Sequence, residues 1–175
     1  MKNYGKLTVT AMCLALCVVL PIAFHVIPDG GSIFSPMHIP VLICGLACGP
    51  VWGLVCGIIG PMLSSFITGM PPAAYLPPMM VELAAYGLIT GAMMKIVRTG
   101  KLYPDLYISL ATAMILGRVL AGLAKGFIFA RGAFTIGLWA TSYFLGSIPG
   151  IIVHLIVVPA LTLALMKAKL IKGRY

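Results

Sequence analysis

Residues 37–68 read MHIPVLICGLACGPVWGLVCGIIGPMLSSFIT and contain no Asp, Glu, Lys or Arg. Gly49-Pro50 is a turn signal that divides this stretch into a short apolar segment, 37–48, and a longer one, 51–68. A helix that crosses the bilayer takes about 20 mostly apolar residues. The stretch therefore predicts two consecutive helices of a membrane protein, of which the first is too short to cross the membrane unaided.

The rest of the chain has the same composition. Hydrophobic residues make up 61% of the 175 residues and charged residues 9%, whereas a soluble domain carries about 25% charged residues. Because so few charges cannot cover a water-facing surface, lipid is predicted to be the main solvent. A net charge of +9 would suggest a nucleic-acid partner in a soluble protein. Here the positions of the cations explain that charge, and no nucleic acid is expected.

Six apolar runs are present in one predicted domain that covers residues 1–175. The predicted helices span residues 7–24, 37–48, 51–68, 79–97, 106–129 and 136–166, the last with a break near Pro149-Gly150. The segment 37–48 crosses the hydrocarbon only if the preceding loop, 25–36, folds into the membrane-level interior of the bundle. Four prolines in the loop 69–78 (GMPPAAYLPP) predict a stiff connection. The predicted fold class is an all-α integral membrane protein, a six-transmembrane-helix bundle.

Small residues recur four positions apart within these helices, as in Gly53/Gly57 and Gly87/Gly91. Such pairs let two helix backbones approach closely in lipid, where van der Waals packing drives helix association. We interpret most of these pairs as packing contacts within the bundle.

The cations are distributed unevenly about the predicted helices. Most of them lie at the chain ends and in the hairpin between the fourth and fifth helices. They are Lys2, Lys6, Lys95, Arg98, Lys101, Lys167, Lys169, Lys172 and Arg174. With six spans, all of these residues lie on one side of the membrane, and cytoplasmic loops are the ones enriched in Lys and Arg. The N- and C-termini are therefore both predicted to be cytoplasmic.

Three ionisable side chains fall within predicted helices, where such residues are costly and usually functional. Glu82 lies near the outer end of the fourth helix and Arg118 near the middle of the fifth. Lys125 follows Arg118 by seven residues, about 10 Å further outward along a helix. Two interpretations stay open: Glu82 pairs with Arg118 or Lys125 to lock two helices together, or the charges line a ligand pocket. The positive excess would favour a ligand with an anionic or electron-rich group.

Aromatic and histidine side chains occur at the same predicted level. Those expected to line a pocket are Phe34, His25, His38, Tyr75, Tyr86 and Tyr143. A pocket for a flat organic molecule combines rings with a few polar groups. His38 begins the short second helix, and His25 begins the loop that must fold inward, which favours both as ligand contacts. His154, among Ile and Val, is interpreted as a hydrogen-bonded interior residue.

The chain lacks the residue patterns of metal sites and of common enzymes. Its five cysteines lie in apolar runs without C-x-x-C spacing, so they are interpreted as buried apolar side chains. His25 and His38 alone supply too few ligands for a metal ion. No H-E-x-x-H, G-x-S-x-G or G-x-x-x-x-G-K-[ST] occurs. We therefore predict no metal, no cofactor bound by this chain, no catalysis and no ATP site of its own.

An A-x-x-x-A motif at 11–15, the segment FSPMHIP at 34–40 and the Gly49-Pro50 turn accompany the six-span plan. In this combination the chain resembles the S components of energy-coupling factor (ECF) transporters, small six-helix proteins that capture vitamins in bacteria. The resemblance implies that Ala11 and Ala15 pack on a membrane-embedded T subunit. It also implies that two cytoplasmic ATPases use ATP and Mg to supply the energy.

The resemblance further implies a ligand site near the outer surface, held by the first loop and by helices four to six. By position, the expected contacts are Phe34, His38, Glu82, Tyr86, Lys125 and Tyr143, with Arg118, His25 and Tyr75 beside them. The expected substrate is a water-soluble vitamin or a related micronutrient, bound in a multi-pass protein of the bacterial plasma membrane. Two rival functions stay open, a stand-alone small-molecule carrier or channel and a small membrane enzyme.

Overall fold

The computed structural model describes residues 3–24, 30–129, 135, 137, 139, 141 and 146–171. All regular secondary structure in these residues is helical. In chain order the elements are α1 (Asn3–Phe24), α2 (Gly30–Phe34), α3 (His38–Cys48), α4 (Pro50–Thr68), α5 (Leu76–Ile96), α6 (Leu102–Ala124), a π-helical segment (Lys125–Phe129) and α7 (Ile148–Lys167). The prediction of an all-helical chain is confirmed for the described residues.

Within the described residues, five helices are long and apolar enough to cross a membrane: α1, α4, α5, α6 and α7. The sixth apolar helix, α3, has 11 residues, and all of them except Ala47 are buried. A helix that is hydrophobic all round belongs in an interior, and α3 accordingly contacts α1, α4, α5 and α7. The chain is therefore a helical membrane bundle assembled around α3. A sixth crossing and the orientation of the termini stay predictions.

Several helices begin earlier than predicted or exist where the sequence predicted a loop. The first begins at Asn3, before the predicted residue 7, and it continues through Pro21. The predicted loop 25–36 contains the short helix α2, which is too brief for a periodic apolar pattern to reveal it. Pro77 lies in the first turn of α5 and not in the preceding loop. Proline is well tolerated there because the first amides of a helix have no helical partner.

The last predicted helix, 136–166, was expected to contain a break near Pro149-Gly150. Continuous α-helix is described from Ile148 to Lys167, the part of that span which follows the break. Gly146 and Ser147 form a turn before it, so Pro149 stands at the start of a helix and not inside one. Of the residues before this turn, 130–134, 136, 138, 140 and 142–145 lie outside the described part of the chain.

Helices α4 and α5 are in direct backbone contact along a line of four glycines, called here the glycine seam: Gly53 and Gly57 of α4 with Gly87 and Gly91 of α5. A Cβ atom added at Gly87 would overlap the Gly53 carbonyl, and one added at Gly57 would overlap the carbonyl of Leu83. The pairs interpreted as close-packing residues therefore do bring two backbones together. The seam fixes the position of α5, which carries Glu82 and Tyr86.

The proline-rich loop between α4 and α5 is fastened to the end of α4. Gly69 ends that helix with φ +73°, in the left-handed region that favours glycine. Ser64 Oγ donates to the Met70 carbonyl at 2.8 Å, and Ser65 Oγ donates to the Pro71 carbonyl at 2.8 Å. These bonds satisfy backbone carbonyl groups of the loop. The loop therefore holds the first turn of α5 in a defined position.

Candidate functional site

Helices α3 and α5 place an imidazole beside a carboxylate and a phenol. Nε2 of His38, the first residue of α3, lies 3.4 Å from Oε1 of Glu82. Tyr86 lies one helical turn after Glu82 and therefore on the same face of α5. Its ring meets that of His38 edge to face, with centroids 5.0 Å apart. These three side chains form the α3–α5 half of the site.

Helix α7 adds a second imidazole. The His154 ring stacks on the His38 ring, with centroids 5.6 Å apart and planes inclined by 19°. Its Nε2 lies 3.2 Å from the carbonyl oxygen of Ser35, in the turn between α2 and α3. Because a carbonyl only accepts, His154 must carry its proton on Nε2. His154 therefore joins α7 both to the start of α3 and to the residues before it.

Helix α6 supplies a cation and makes room for the phenol. Arg118 is 4% exposed and acts electrostatically on both Tyr86 and His154. The preceding residue, Gly117, lies against the Tyr86 ring, where an added Cβ would come within 2.7 Å of two ring carbons. Four helices thus contribute to one polar cluster, defined as His38, Glu82, Tyr86, Arg118 and His154.

Among the described residues, two buried atoms of the polar cluster have no hydrogen-bond partner. They are Nδ1 of His38 and Oη of Tyr86. Glu82 and Arg118 both act electrostatically on Tyr86. An unpaired buried polar atom costs folding free energy, so such atoms are expected to persist where a ligand or a water molecule can pair with them.

The structure brings together four of the predicted site residues, His38, Glu82, Tyr86 and Arg118. For Glu82, the measured contact is with His38, a partner that neither of the two open interpretations named. Lys125 is half-buried at the point where α6 gives way to the π-helical segment. Its relation to Glu82 stays a prediction.

Other predicted residues lie away from the cluster or beyond the described chain. Tyr75 immediately precedes α5 and is 64% exposed, and its place in a pocket stays a prediction. Phe34 packs on Phe24, with ring centroids 5.5 Å apart, at the edge of the same region. His25 and Tyr143 lie outside the described residues.

His154 was interpreted only as a hydrogen-bonded interior residue. The hydrogen bond is present, but it goes to Ser35, and the ring also stacks on a site residue. The signal that could have found it is the one applied to Glu82 and Arg118. A titratable side chain within a membrane helix marks a functional site by default.

Two further sets of predicted residues lie elsewhere. Ala11 and Ala15 are both exposed on the outer face of α1, whereas Cys13 and Cys17 of the same helix point inward. All five cysteines are free and buried. In the described part of the chain, no three His, Cys, Asp or Glu side chains are arranged to hold a metal ion.

No curated protein matches the chain. A family model does: that of the ECF transporter, substrate-specific component, which matches residues 5–166. Proteins of this family are substrate-binding subunits of transporters and not enzymes. The five apolar helices agree with the multi-pass membrane location that the family implies. The chain therefore belongs to the family of substrate-specific components of ECF transporters.

Proposed function

We propose that this chain captures a water-soluble vitamin or a related micronutrient at its polar cluster. The proposal rests on one observation. A carboxyl group, a guanidinium, two imidazoles and a phenol meet in the interior of an otherwise apolar bundle. Buried polar groups of this density are expensive in a membrane protein. Substrate binding is the function of the family that justifies such a cost.

The cluster lies toward the end of the bundle at which α3, α5 and α7 begin. The opposite end carries the cations of the α5–α6 hairpin, Lys95, Arg98 and Lys101. Since cytoplasmic loops are enriched in Lys and Arg, this end is assigned to the cytoplasm, together with both termini. The polar cluster then faces the extracellular side, where an importer meets its substrate.

The two unpaired atoms indicate how the substrate is held. Glu82 can only accept when ionised, so His38 donates from Nε2 and, when neutral, offers its Nδ1 lone pair. Tyr86 offers a hydroxyl group. A substrate that presents a donor next to an acceptor satisfies both atoms at once. Phe34, Lys125, His25 and Tyr143 are further proposed contacts around this pair.

Mass spectrometry of the small molecule that co-purifies with the detergent-solubilised protein tests the binding role. A water-soluble vitamin or precursor is expected, and a lipid or isoprenoid would instead support a membrane enzyme. Reconstitution tests the transport role. Uptake into proteoliposomes is expected only when a T subunit and two ATPases are present with ATP and Mg. Uptake by this chain alone would establish the rival function of a stand-alone carrier.

The outer face of α1 is the proposed surface for the T subunit. Ala15 is exposed there, and a small side chain permits close approach of a second helix in lipid. Ala15→Trp is expected to abolish co-purification with the T subunit and to lower uptake at least about tenfold. Ala11→Trp should behave in the same way.

The matched control for this surface is Ile115→Trp, since Ile115 is 56% exposed on α6. It should leave both the complex and uptake intact. All variants should keep their bound small molecule, because the α1 surface lies outside the polar cluster. Normal complex formation by Ala15→Trp would remove the assigned surface without affecting the assigned binding site.

A further inference from the structure

We propose that His154 is a positioning residue, which latches the α2–α3 junction to α7 and thereby orients His38 in the polar cluster. The junction consists of residues 30–38, and the term latch refers to the His154 side chain with its two contacts, to Ser35 and to His38. The inference rests on the proposed function in one respect only, namely that His38 contacts the substrate.

The Ser35 carbonyl oxygen is the centre of the latch. It accepts a hydrogen bond from the backbone amide of His38 at 3.0 Å and a second from Nε2 of His154 at 3.2 Å. A carbonyl oxygen has two lone pairs and can take both bonds. One acceptor therefore links the first amide of α3 to a side chain of α7. Any movement of α7 at this level moves the start of α3 as well.

The backbone at this point does not hold its conformation by itself. Ser35 has φ +46°, a left-handed conformation that non-glycine residues adopt at a cost. Such residues persist only where surrounding contacts determine their position. The contact from His154 to the Ser35 carbonyl is one that acts directly on the strained residue. The strain thus identifies the junction as a segment that external contacts keep in place.

Helix α7 approaches the junction closely enough to serve this purpose. Gly150 lies one turn before His154, and an added Cβ there would come within 2.7 Å of the Ile33 carbonyl oxygen. A side chain at that position would push α7 away from the junction. His154 could then no longer contact the Ser35 carbonyl. Gly150 and His154 therefore act together, the first by allowing contact and the second by making it.

The second contact of the latch reaches the site itself. The stacked rings of His154 and His38 fix the plane of the latter, whose Nε2 then meets Glu82. The same orientation sets the direction of the unpaired Nδ1 atom. His154 does not need to touch the substrate to affect binding, since it determines where the substrate-facing atom of His38 lies.

Hydrogen–deuterium exchange of the full chain in lipid nanodiscs tests the latch without any ligand. His154→Phe keeps a ring that can stack but removes the N–H donor. Exchange in peptides that cover residues 35–39 is expected to rise about tenfold, the change that corresponds to one lost hydrogen bond. Peptides from α4 and α5 should exchange as in the wild type. His154→Gln, whose amide can still donate, should restore slow exchange at the junction.

Thr162→Val is the matched control, because Thr162 is a buried polar residue of the same helix whose hydroxyl donates to the Val158 carbonyl at 2.7 Å. It should leave exchange at residues 35–39 unchanged. A rise that is uniform over the bundle in His154→Phe, or no rise at the junction, would overturn the proposal. Hydrogen–deuterium exchange at residues 35–39 does not measure whether a vitamin is bound. A failure of the latch and a failure of the proposed binding function therefore give different results.

A measurement on the unaltered chain covers the case in which His154→Phe does not fold. Nitrogen-15 NMR of histidine-labelled wild-type protein reports which ring nitrogen carries the proton. The latch requires the Nε2–H form of His154, with its signal assigned by comparison with His154→Gln. A proton on Nδ1 alone would leave Nε2 unable to donate to Ser35 and would exclude the latch.

Discussion

Two neighbouring residues of α5 belong to regions of opposite character. Gly87 lies in the glycine seam, where its backbone touches that of Gly53 in α4. Tyr86 is directed into the polar cluster, between His38 of α3 and Gly117 of α6. The seam depends on the absence of side chains and leaves no space. The cluster depends on polar side chains, two of whose buried atoms have no hydrogen-bond partner in the described part of the chain.

The difference separates rigidity from binding within one helix. Close backbone packing in lipid gains van der Waals contact at every turn and tolerates little change. Unpaired polar atoms lower stability, and they are retained where a ligand pairs with them. Helix α5 therefore has one face that fixes its position in the bundle and another whose polar side chains are available to a ligand. Changes to the first face should destroy the fold, and changes to the second should alter binding.

Gly87→Ala tests the glycine seam and should have the largest effect on stability. The new methyl group would overlap the Gly53 carbonyl, and neither backbone can move without separating α4 from α5. A destabilisation of at least about 3 kcal/mol is expected, the upper end for overpacking. Fluorescence-detected size exclusion should show loss of monodisperse protein, and any that remains should melt at a lower temperature.

Gly31→Ala is the matched control for this change. Gly31 is exposed in α2, and an added Cβ would meet nothing within 4 Å. The same chemical change should therefore be nearly neutral there. Wild-type stability of Gly87→Ala would mean that α4 and α5 are not in backbone contact.

Glu82→Gln tests the face of α5 that carries the polar cluster. The amide keeps an oxygen that can accept a hydrogen bond from His38. The free energy of unfolding should therefore fall by about 1 kcal/mol or less, and the melting temperature should change little. Replacement of the carboxyl group by an amide should weaken substrate binding by about 2 kcal/mol, or roughly thirtyfold. The measurement is the amount of co-purified small molecule per mole of folded protein, by mass spectrometry.

A second carboxylate provides the reciprocal control. Asp105 is fully buried near the other end of the bundle and accepts from both the amide and the hydroxyl of Thr99, at 2.9 and 2.7 Å. Asp105→Asn should lower stability by about 1–2 kcal/mol while the folded fraction keeps its small molecule. The division of roles would be wrong if Glu82→Gln destabilised the protein and retained its small molecule.

The seam was largely predictable from the sequence, and the cluster only in part. Gly53/Gly57 and Gly87/Gly91 carry a spacing that reports close packing wherever it occurs in a membrane helix, because the signal is local. Apolar run lengths report helices for the same reason. The one-turn helix α2 has no such signal, whereas the start of α7 at Ile148 lies beside the break that Pro149-Gly150 predicted.

Which polar residues meet is a question of tertiary structure. His38 and Glu82 were predicted as separate candidates, but their contact at 3.4 Å depends on how α3 lies against α5. Tyr75 stays a predicted contact, because its loop position in sequence does not determine the direction in which its side chain points, and it is 64% exposed. His154 was assigned to the interior because its neighbours are apolar, and only the structure puts Ser35 within its reach.

Tyr86→Phe should have the smallest effect on stability and is the most direct test of the unpaired atoms. Its Oη has no hydrogen-bond partner among the described residues, so removing it should leave the melting temperature unchanged or raise it. Binding of the co-purified molecule should weaken by about 1 kcal/mol, or roughly fivefold, since one hydrogen bond to substrate is lost. Thermal melts of delipidated, ligand-stripped protein and equilibrium binding of the identified molecule give the two values. A clear drop in the melting temperature of the stripped protein would show that water already satisfies the hydroxyl. The polar cluster would then resemble the glycine seam in having a structural role and no role in binding.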